Sequence, residues 1–320
     1  LPLLLTRSYD SLRRNELGDF GWGWFASANE VSVRKNMVLG INWQVQPRGL
    51  ELCIVPASGK RRVTLTLPDG GVYRFQARND PECAFGSAPP VNIVYDPLPL
   101  PVGGSGGSGG GAGSTAQTGQ LQIVLETSVQ AQGGQLVDMD SGLPFNPQRY
   151  AFTSAEGMRY ILHETRGIEQ IQDPYGNAVL LGANGYEHSA GGTTTWRVQF
   201  ERDASGRITK ATDPQGKSVA YAYNAQGELA SVTDRAGNTT RFAYTSAQHQ
   251  AAGGAQNQRH LLQSITDPRG QLVLAQQFDE YGRLAAAADA QGQTATQTVD
   301  ETTSTLRTVD RRGHPSTYTF

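Results

Sequence analysis

The residues in this chain with the means to do chemistry are five histidines, two cysteines, a glycine-rich tract and a long series of aspartates. The histidines are His163, His188, His249, His260 and His314, and no HxxxH or HExxH spacing joins them into a zinc site on one helix face. His163 precedes Glu164 directly, but neighbours in a strand point to opposite faces, so a structural or surface role is expected of each histidine. Asp138-Met139-Asp140-Ser141-Gly142 begins like a calcium loop. Its twelfth position is Arg149 rather than glutamate, which leaves an Asp-Gly turn. Cys53 and Cys83 lack CxxC or Cys/His spacing and are too few for a disulfide framework. Two plain buried thiols are favoured over a single disulfide. Residues 103–107 spell GxSxG and residues 104–109 spell GxGxxG. Neither string has the preceding strand and following helix that would make it a nucleophile elbow or a dinucleotide loop.

The aspartates recur in a pattern. Asp-x-x-Gly appears as Asp173 with Gly176, Asp213 with Gly216, Asp234 with Gly237, Asp267 with Gly270, Asp289 with Gly292 and Asp310 with Gly313, and successive aspartates are 40, 21, 33, 22 and 21 residues apart. Forty is close to two units, with a degenerate copy near His188 to Gly192. Thirty-three is one unit plus the twelve-residue excess of a polar insertion, SAQHQAAGGAQNQ. An acid set for glycoside hydrolysis is defined in space rather than in sequence. A period near 21 residues, however, assigns these aspartates to turns. The Asp side chain accepts bonds from backbone N–H groups downstream, and glycine takes the positive φ that such a turn needs. Runs between the turns, SVAYAYN, LASVTD, TTRFAYT and LVLAQQFD, favour strands, so one repeat reads as one β-hairpin. LAAAADAQ at 284–291 has helix propensity but occupies the slot of LASVTDRA, and register predicts a strand.

The elements that would hold these turns are β throughout. Hydrophobic content without glycine is 38%, and glycine is 38 of 320 residues, a composition of turns and wet surfaces. With 27 basic and 29 acidic residues, no charge footprint for nucleic acid or anionic membrane is present. The apolar start, LPLLL, is too short for a signal peptide, and no membrane span is expected. The opening Leu and the closing strand-like YTF suggest a segment of a longer protein. Residues 1–101 read as a β-rich N-terminal region. Within it Gly18-Asp19-Phe20-Gly21-Trp22-Gly23-Trp24 is expected to anchor the start of a sheet, with an aromatic ligand platform as the alternative. Residues 31–77 suggest an antiparallel meander, and the proline-rich 79–101 should run extended. Residues 102–118 form a Gly/Ser linker, natural or engineered, with the second slightly favoured. Residues 119–320 are the hairpin array.

The units YNAQGELASVTDRAGN and FDEYGRLAAAADAQG resemble the YD repeats of the Rhs family, with Tyr223-Asn224 and Phe278-Asp279 in the place of the lead dipeptide. LPLLLTRSYDS followed by GDFGWGW is similar to the region that precedes the repeats in bacterial Rhs and polymorphic-toxin proteins. The resemblance implies an all-β fold: a spiralling antiparallel sheet of stacked hairpins, here an incomplete or open segment. It implies a shell that sequesters or presents a polypeptide cargo, in a protein that is secreted, surface-exposed or delivered to a neighbouring cell. About seven units are recognisable, fewer than family shells use, and no DPxGxxGG self-cleavage motif is present, so autoproteolysis is not carried over. No catalytic residue, cofactor or metal ligand is assigned. Expected partners are the cargo, the remaining shell, or a second copy through open sheet edges. The repeat aromatics are Tyr223, Tyr244 and Phe278. A second reading makes the chain an extracellular glycan- or protein-binding module that uses exposed Tyr221, Tyr223, Phe242 and Tyr244, against which stands ordinary cross-strand packing.

Overall fold

The computed structural model describes residues 4–99, 119–124, 128–245, 259–279 and 281–320. The tract at 102–118 with its two glycine motifs, and the insertion at 246–258 with His249, lie outside the described residues. Among the described residues the regular structure is strands with two 3-10 turns. The chain divides into two compact units, the first built mainly on Ala28–Gly182 and Tyr186–Trp196, the second on Leu5–Ser27, Ala183–Gly185 and Arg197–Phe320.

Four short strands open the chain: β1 (Arg7–Tyr9), β2 (Leu17–Gly18), β3 (Gly21–Trp22) and β4 (Trp24–Ala26). They pair as β1–β4 and β2–β3 and belong to the second unit.

The first unit continues with β5 (Ser32–Lys35), β6 (Trp43–Arg48), β7 (Glu51–Pro56), β8 (Arg61–Thr66), β9 (Val72–Asn79), β10 (Cys83–Phe85) and β11 (Ile93–Leu98). These form a sheet in the order β10-β7-β6 and another in the order β11-β9-β8-β5. Strict alternation decides the faces: Val63, Leu65, Phe75 and Ala77 are buried, while Arg62 and Thr64 between them point outward. Arg61 is fully buried, and among the described residues it makes no ion pair. Its guanidinium lies over Trp43 at 4.5 Å and its two terminal nitrogens donate to the carbonyls of Ile41, Asn42 and Gly59, so a carbonyl cradle and an aromatic face replace the hydration of that end of the group.

The expectation of two thiols is overturned. Antiparallel pairing of β7 with β10 sets Cys53 opposite Cys83, and the two form a disulfide. A separation of 30 residues carries no local signal of this, because only strand register makes the cysteines neighbours.

The rest of the unit is β12 (Gly119–Ile123), the hairpin β13 (Val129–Gln132) and β14 (Gln135–Asp138), then β15 (Arg149–Ser154), β16 (Arg159–His163), β17 (Gly167–Gln172), β18 (Ala178–Gly182) and β19 (Gly185–Ala190). Tyr150, Phe152, Leu162 and Ile168 are fully buried, and Phe152 meets Tyr73 at 4.4 Å and Phe75 at 6.2 Å.

The array proceeds through β20 (Thr193–Arg202), β21 (Ile208–Thr212), β22 (Ser218–Tyr223), β23 (Leu229–Thr233), β24 (Thr239–Tyr244), β25 (Leu262–Thr266), β26 (Leu272–Phe278), β27 (Leu284–Asp289), β28 (Thr294–Asp300), β29 (Thr305–Val309) and β30 (Pro315–Thr319). Strands β12 and β15–β30 make one 17-stranded antiparallel sheet, and from β15 onward each strand's neighbour is the next in sequence. The sheet is not closed: β12 and β30 end the strand order. LAAAAD is strand β27, paired to β26 and β28. Turns at Asp279 and Asp289 bracket it, and a helix would forfeit both ladders.

Candidate functional site: a repeat sheet strapped by the N-terminal segment

At each Asp-x-x-Gly the same small structure appears. In the Asp213 turn, the Asp213 N–H donates to Lys217 O at 2.8 Å and the Gly216 N–H to Asp213 O at 3.0 Å. Asp213 Oδ1 accepts from the N–H groups of Gln215 and Lys217 at 3.0 and 2.9 Å. Asp173, Asp234, Asp267, Asp289 and Asp310 repeat this arrangement, each accepting from the N–H of its own glycine, respectively Gly176, Gly237, Gly270, Gly292 and Gly313. The six glycines Gly176, Gly216, Gly237, Gly270, Gly292 and Gly313 all have φ between 75° and 87°. A Cβ on any of these glycines would meet nothing within 4 Å, so crowding is not the reason for glycine there. The left-handed backbone is the reason, because a side chain at that φ is strained.

Three further turns of the same construction lie at the opposite ends of the strands: Asp203 to Gly206, Asn224 to Gly227 and Asp279 to Gly282. They occupy the lead-dipeptide position of the repeat. The signal was available, since an Asp or Asn stands three residues before each Gly-[Arg/Glu] pair. From β20 to β24 and again from β25 to β28, successive strands are therefore joined by one device at both ends of the sheet. The side chain that opens each turn is engaged by its own backbone, which is a geometric use of the group.

Hydrogen bonding holds the carboxyls of Asp173, Asp213, Asp234, Asp267 and Asp310 below the usual range. For Asp213 the largest cause is the Arg235 guanidinium, for Asp234 the Asn238 amide, and for Asp267 the Gln271 backbone N–H. A carboxylate whose folded pKa is depressed stabilises the fold above its unfolded pKa and ceases to do so as pH falls through the folded value. Thermal unfolding of the array is therefore expected to be level from pH 7 to about 5 and to fall below about pH 4. A midpoint unchanged at pH 2.5, about one and a half units below the ordinary Asp value, would remove the turns' charged form from the account.

One face of the array carries aromatic rows at the repeat period, Phe200–Tyr221–Phe242 and Tyr223–Tyr244. The second reading, which needs Tyr221, Tyr223, Phe242 and Tyr244 exposed for recognition, gives way to the packing weighed against it. Tyr221 and Phe242 are buried and the other two are half-buried. The N-terminal segment covers them. Phe20 meets Tyr221 at 4.8 Å, Trp24 meets Phe242 edge-on at 5.2 Å, and the Arg7 guanidinium lies 5.7 Å from the Phe242 ring. Tyr223 Oη donates to Ile208 O at 2.6 Å, and Tyr244 Oη donates to Leu229 O at 3.0 Å while accepting from Trp24 Nε1 at 2.7 Å. Desolvation by burial pushes both phenols well above their ordinary range.

The segment is also tied down along its polar edge. Ile208 N–H donates to Asp19 O, Arg202 bridges Asp19 Oδ1 at 2.7 Å, and Trp22 Nε1 donates to Gln226 O. A glycine permits the approach: a Cβ on Gly21, at φ 97°, would stand 2.8 Å from Gly227 O. The GDFGWGW stretch is thus a strap over the repeats rather than an open platform.

At the strap's far end a buried polar group forms. Where other repeats place Arg207 or Arg283 against their turn acids Asp203 and Asp279, the Asn224 turn places Glu228, whose Oε2 accepts from Asn224 Nδ2 at 2.6 Å. Glu228 Oε1 meets His260 Nδ1 at 2.8 Å, and the His260 ring stacks on Trp22 at 4.9 Å. His260 O accepts from Tyr9 Oη, and Tyr9 Oη accepts from Leu262 N–H. Desolvation raises the Tyr9 phenol to about 12. The histidine explains why glutamate stands for arginine in this repeat, and no local pattern links the two residues.

The remaining candidates resolve as local structure. His163 Nδ1 accepts from the Thr165 and Arg166 N–H groups, and Glu164 bridges Lys35 at 2.6 Å, so the two form no dyad. Asp138 Oδ1 accepts from Asp140 and Ser141 N–H in a simple turn. His188 stacks on Trp196 at 5.2 Å, and His314 Nδ1 lies 3.2 Å from its turn acid Asp310. Phe278 is half-buried on β26 at the repeat position of Tyr223 and Tyr244.

Past the strap the aromatic row changes. The positions that follow Phe200, Tyr221 and Phe242 in register are Gln276 and Gln297. On the opposite face of the sheet Ala220, Ala222, Arg241 and Ala243 are exposed. Among the described residues no helix is long and apolar enough to cross a membrane.

The RHS Repeat family model matches residues 202–239 and 223–252. No curated protein matches the sequence. Among solved structures, the TcdB2-TccC3-Cdc42 crystal structure is similar at 14% identity with TM-score 0.23, over 82% of this chain and 14% of that one. The TcdB2-TccC3 crystal structure is similar at 10% identity with TM-score 0.29, over 84% and 16%. The TCP10 domain of Danio rerio CPAP, in complex with a Danio rerio STIL peptide, gives 11% identity and TM-score 0.17 over 87% and 98%. These superpositions are too loose to carry an argument, and the chain spans about a seventh of the two TcdB2-TccC3 chains. The weight falls on the matched repeats and on the two-ended turn that their spacing builds, and by these, residues 202–252 of the chain carry Rhs, or YD, repeats.

Proposed function

We propose that this chain is a wall: a structural segment of an Rhs shell that sequesters or presents another polypeptide and performs no catalysis itself. The observation that carries this reading is the shared closure of both hairpin ends. A unit of two strands and two self-satisfied turns adds to its predecessor without a new side-chain requirement, so the sheet grows by repetition. Its turn acids are spent on geometry, and the face away from the strap offers small and polar side chains. Such a surface can lie against an unfolded chain without a specific contact.

A secreted, surface-exposed or delivered protein that carries its cargo behind this segment is the corresponding proposal, and it rests on the matched repeats. The test is protease protection. An unstructured reporter polypeptide fused behind Phe320 is expected to be cleaved about tenfold more slowly than the same reporter behind an unrelated β protein. Equal cleavage in the two fusions would sink the enclosing role.

A further inference from the structure

We infer that the outward face of β5, β8, β9 and β11 is an anion-binding groove that takes a phosphate monoester. This lies in the first unit, apart from the repeats, and does not depend on the shell reading. Pairing sets Arg34 opposite Thr64, Thr64 opposite Arg74, and Arg74 opposite Leu98, so these four side chains form one cross-strand row. Arg62 stands two residues from Thr64 on the same strand and therefore on the same face. The opposite face is the core of Val33, Val63, Leu65 and Phe75, which fixes this row outward. Arg34, Arg62, Thr64, Arg74, Leu98 and Pro99 line a concavity of about 620 Å³.

The three guanidiniums have no ion pair among the described residues, in contrast to the other cations around them. Lys35 bridges Glu164, Arg149 and Arg166 bridge Glu169, and Arg48 bridges Glu82. The acids nearest on the sheet are already held: Arg78 takes both Asp80 and Asp96, at 3.1 and 2.8 Å. Residues 100–118, which follow in sequence, contain neither Asp nor Glu. Three like charges on one face of three neighbouring strands repel, and a dianion seated between them relieves that repulsion.

The spacing selects the shape of the anion. Adjacent strands lie about 4.8 Å apart, so Arg34 and Arg74 flank Thr64 symmetrically at roughly 10 Å from each other, while Arg62 adds a third fork beside it. All three side chains can reach a group above the Thr64 hydroxyl. A tetrahedral dianion offers an oxygen to each fork and further lone pairs to the hydroxyl, whereas one carboxylate satisfies a single fork. Leu98 and Pro99 provide an apolar end for the organic part of an ester.

The test is calorimetric titration of the whole chain with phenyl phosphate, at low and at physiological salt. Saturable binding that weakens with salt is expected, and each of Arg34→Gln, Arg62→Gln and Arg74→Gln should weaken it about tenfold, as for loss of one charged hydrogen bond. These side chains lie outside the core, so far-UV circular dichroism should be unchanged. Arg74→Lys should retain part of the affinity, having kept the charge but lost the fork. No saturable binding up to about 10 mM, or equal binding by the triple glutamine variant, would overturn the site. A hexaglutamate peptide binding more tightly than phenyl phosphate would overturn the ligand class. A phosphoserine peptide, a nucleoside monophosphate and a sulfated disaccharide then separate the sources: a phosphate probe must bind best, and a preference for the sulfated sugar would also overturn the assignment.

Discussion

Trp24→Ala is expected to destabilise the second unit by about 3–5 kcal/mol, the usual loss for removing a buried large aromatic. Trp24 is 5% exposed and packs against Tyr9 at 5.4 Å and Phe242 at 5.2 Å, and its indole N–H donates to Tyr244. Alanine would remove both ring contacts, open a cavity over the Phe242 row, and leave Tyr244 Oη with its carbonyl acceptor alone. Because β1 pairs with β4, loosening Trp24 also loosens Tyr9 and its link to His260 and Leu262. Trp24→Phe should recover most of the loss, leaving about 1 kcal/mol for the missing indole hydrogen bond. Urea unfolding followed by the remaining fluorescence of Trp22 measures it, with Trp43 and Trp196 reporting the first unit. A variant within about 1 kcal/mol of the parent would show that the strap is ornamental to the array's stability.

Loss of the Cys53–Cys83 bridge is expected to cost the first unit about 3–4 kcal/mol, the chain-entropy value for closing a loop of about 30 residues. Cys53 is fully buried on β7, and β10 has β7 as its one partner in the sheet, so the bridge fastens a three-residue edge strand to the core. A Cys53→Ala/Cys83→Ala double variant avoids new buried hydroxyls and isolates the bridge. Its unfolding should shift in the Trp43 signal and not in that of Trp22. A parent protein whose stability is the same with and without reducing agent would contradict the assignment.

Much of the array is legible in the sequence because its determinants are local. An aspartate, two residues and a glycine close a turn through the residue's own backbone, and the alternation of SVAYAY or TTRFAY chooses a strand. Even LAAAADAQ is legible, since its place between two turns outweighs its propensity. The lead positions Asp203, Asn224 and Asp279 are less so: they read as part of the repeat, while the aromatics beside them read either as cross-strand packing or as a recognition face. Tyr221 and Phe242 show what decides between the two. A strand aromatic is exposed or buried according to what lies over its face, and here the cover comes from residues about 200 positions away.

The repeat period, the two-stranded unit, the all-β class and the likeness of the units to Rhs repeats can all be read from the order of residues, because each is written within a window of about twenty positions. Folding alone makes Gly18 to Trp24 a strap, brings Glu228 to His260 in place of an arginine, joins Cys53 to Cys83, and stands Arg34, Arg62 and Arg74 together. Each of these depends on register between segments with no common local pattern, and register is set by the summed packing of whole strands rather than by any residue within them.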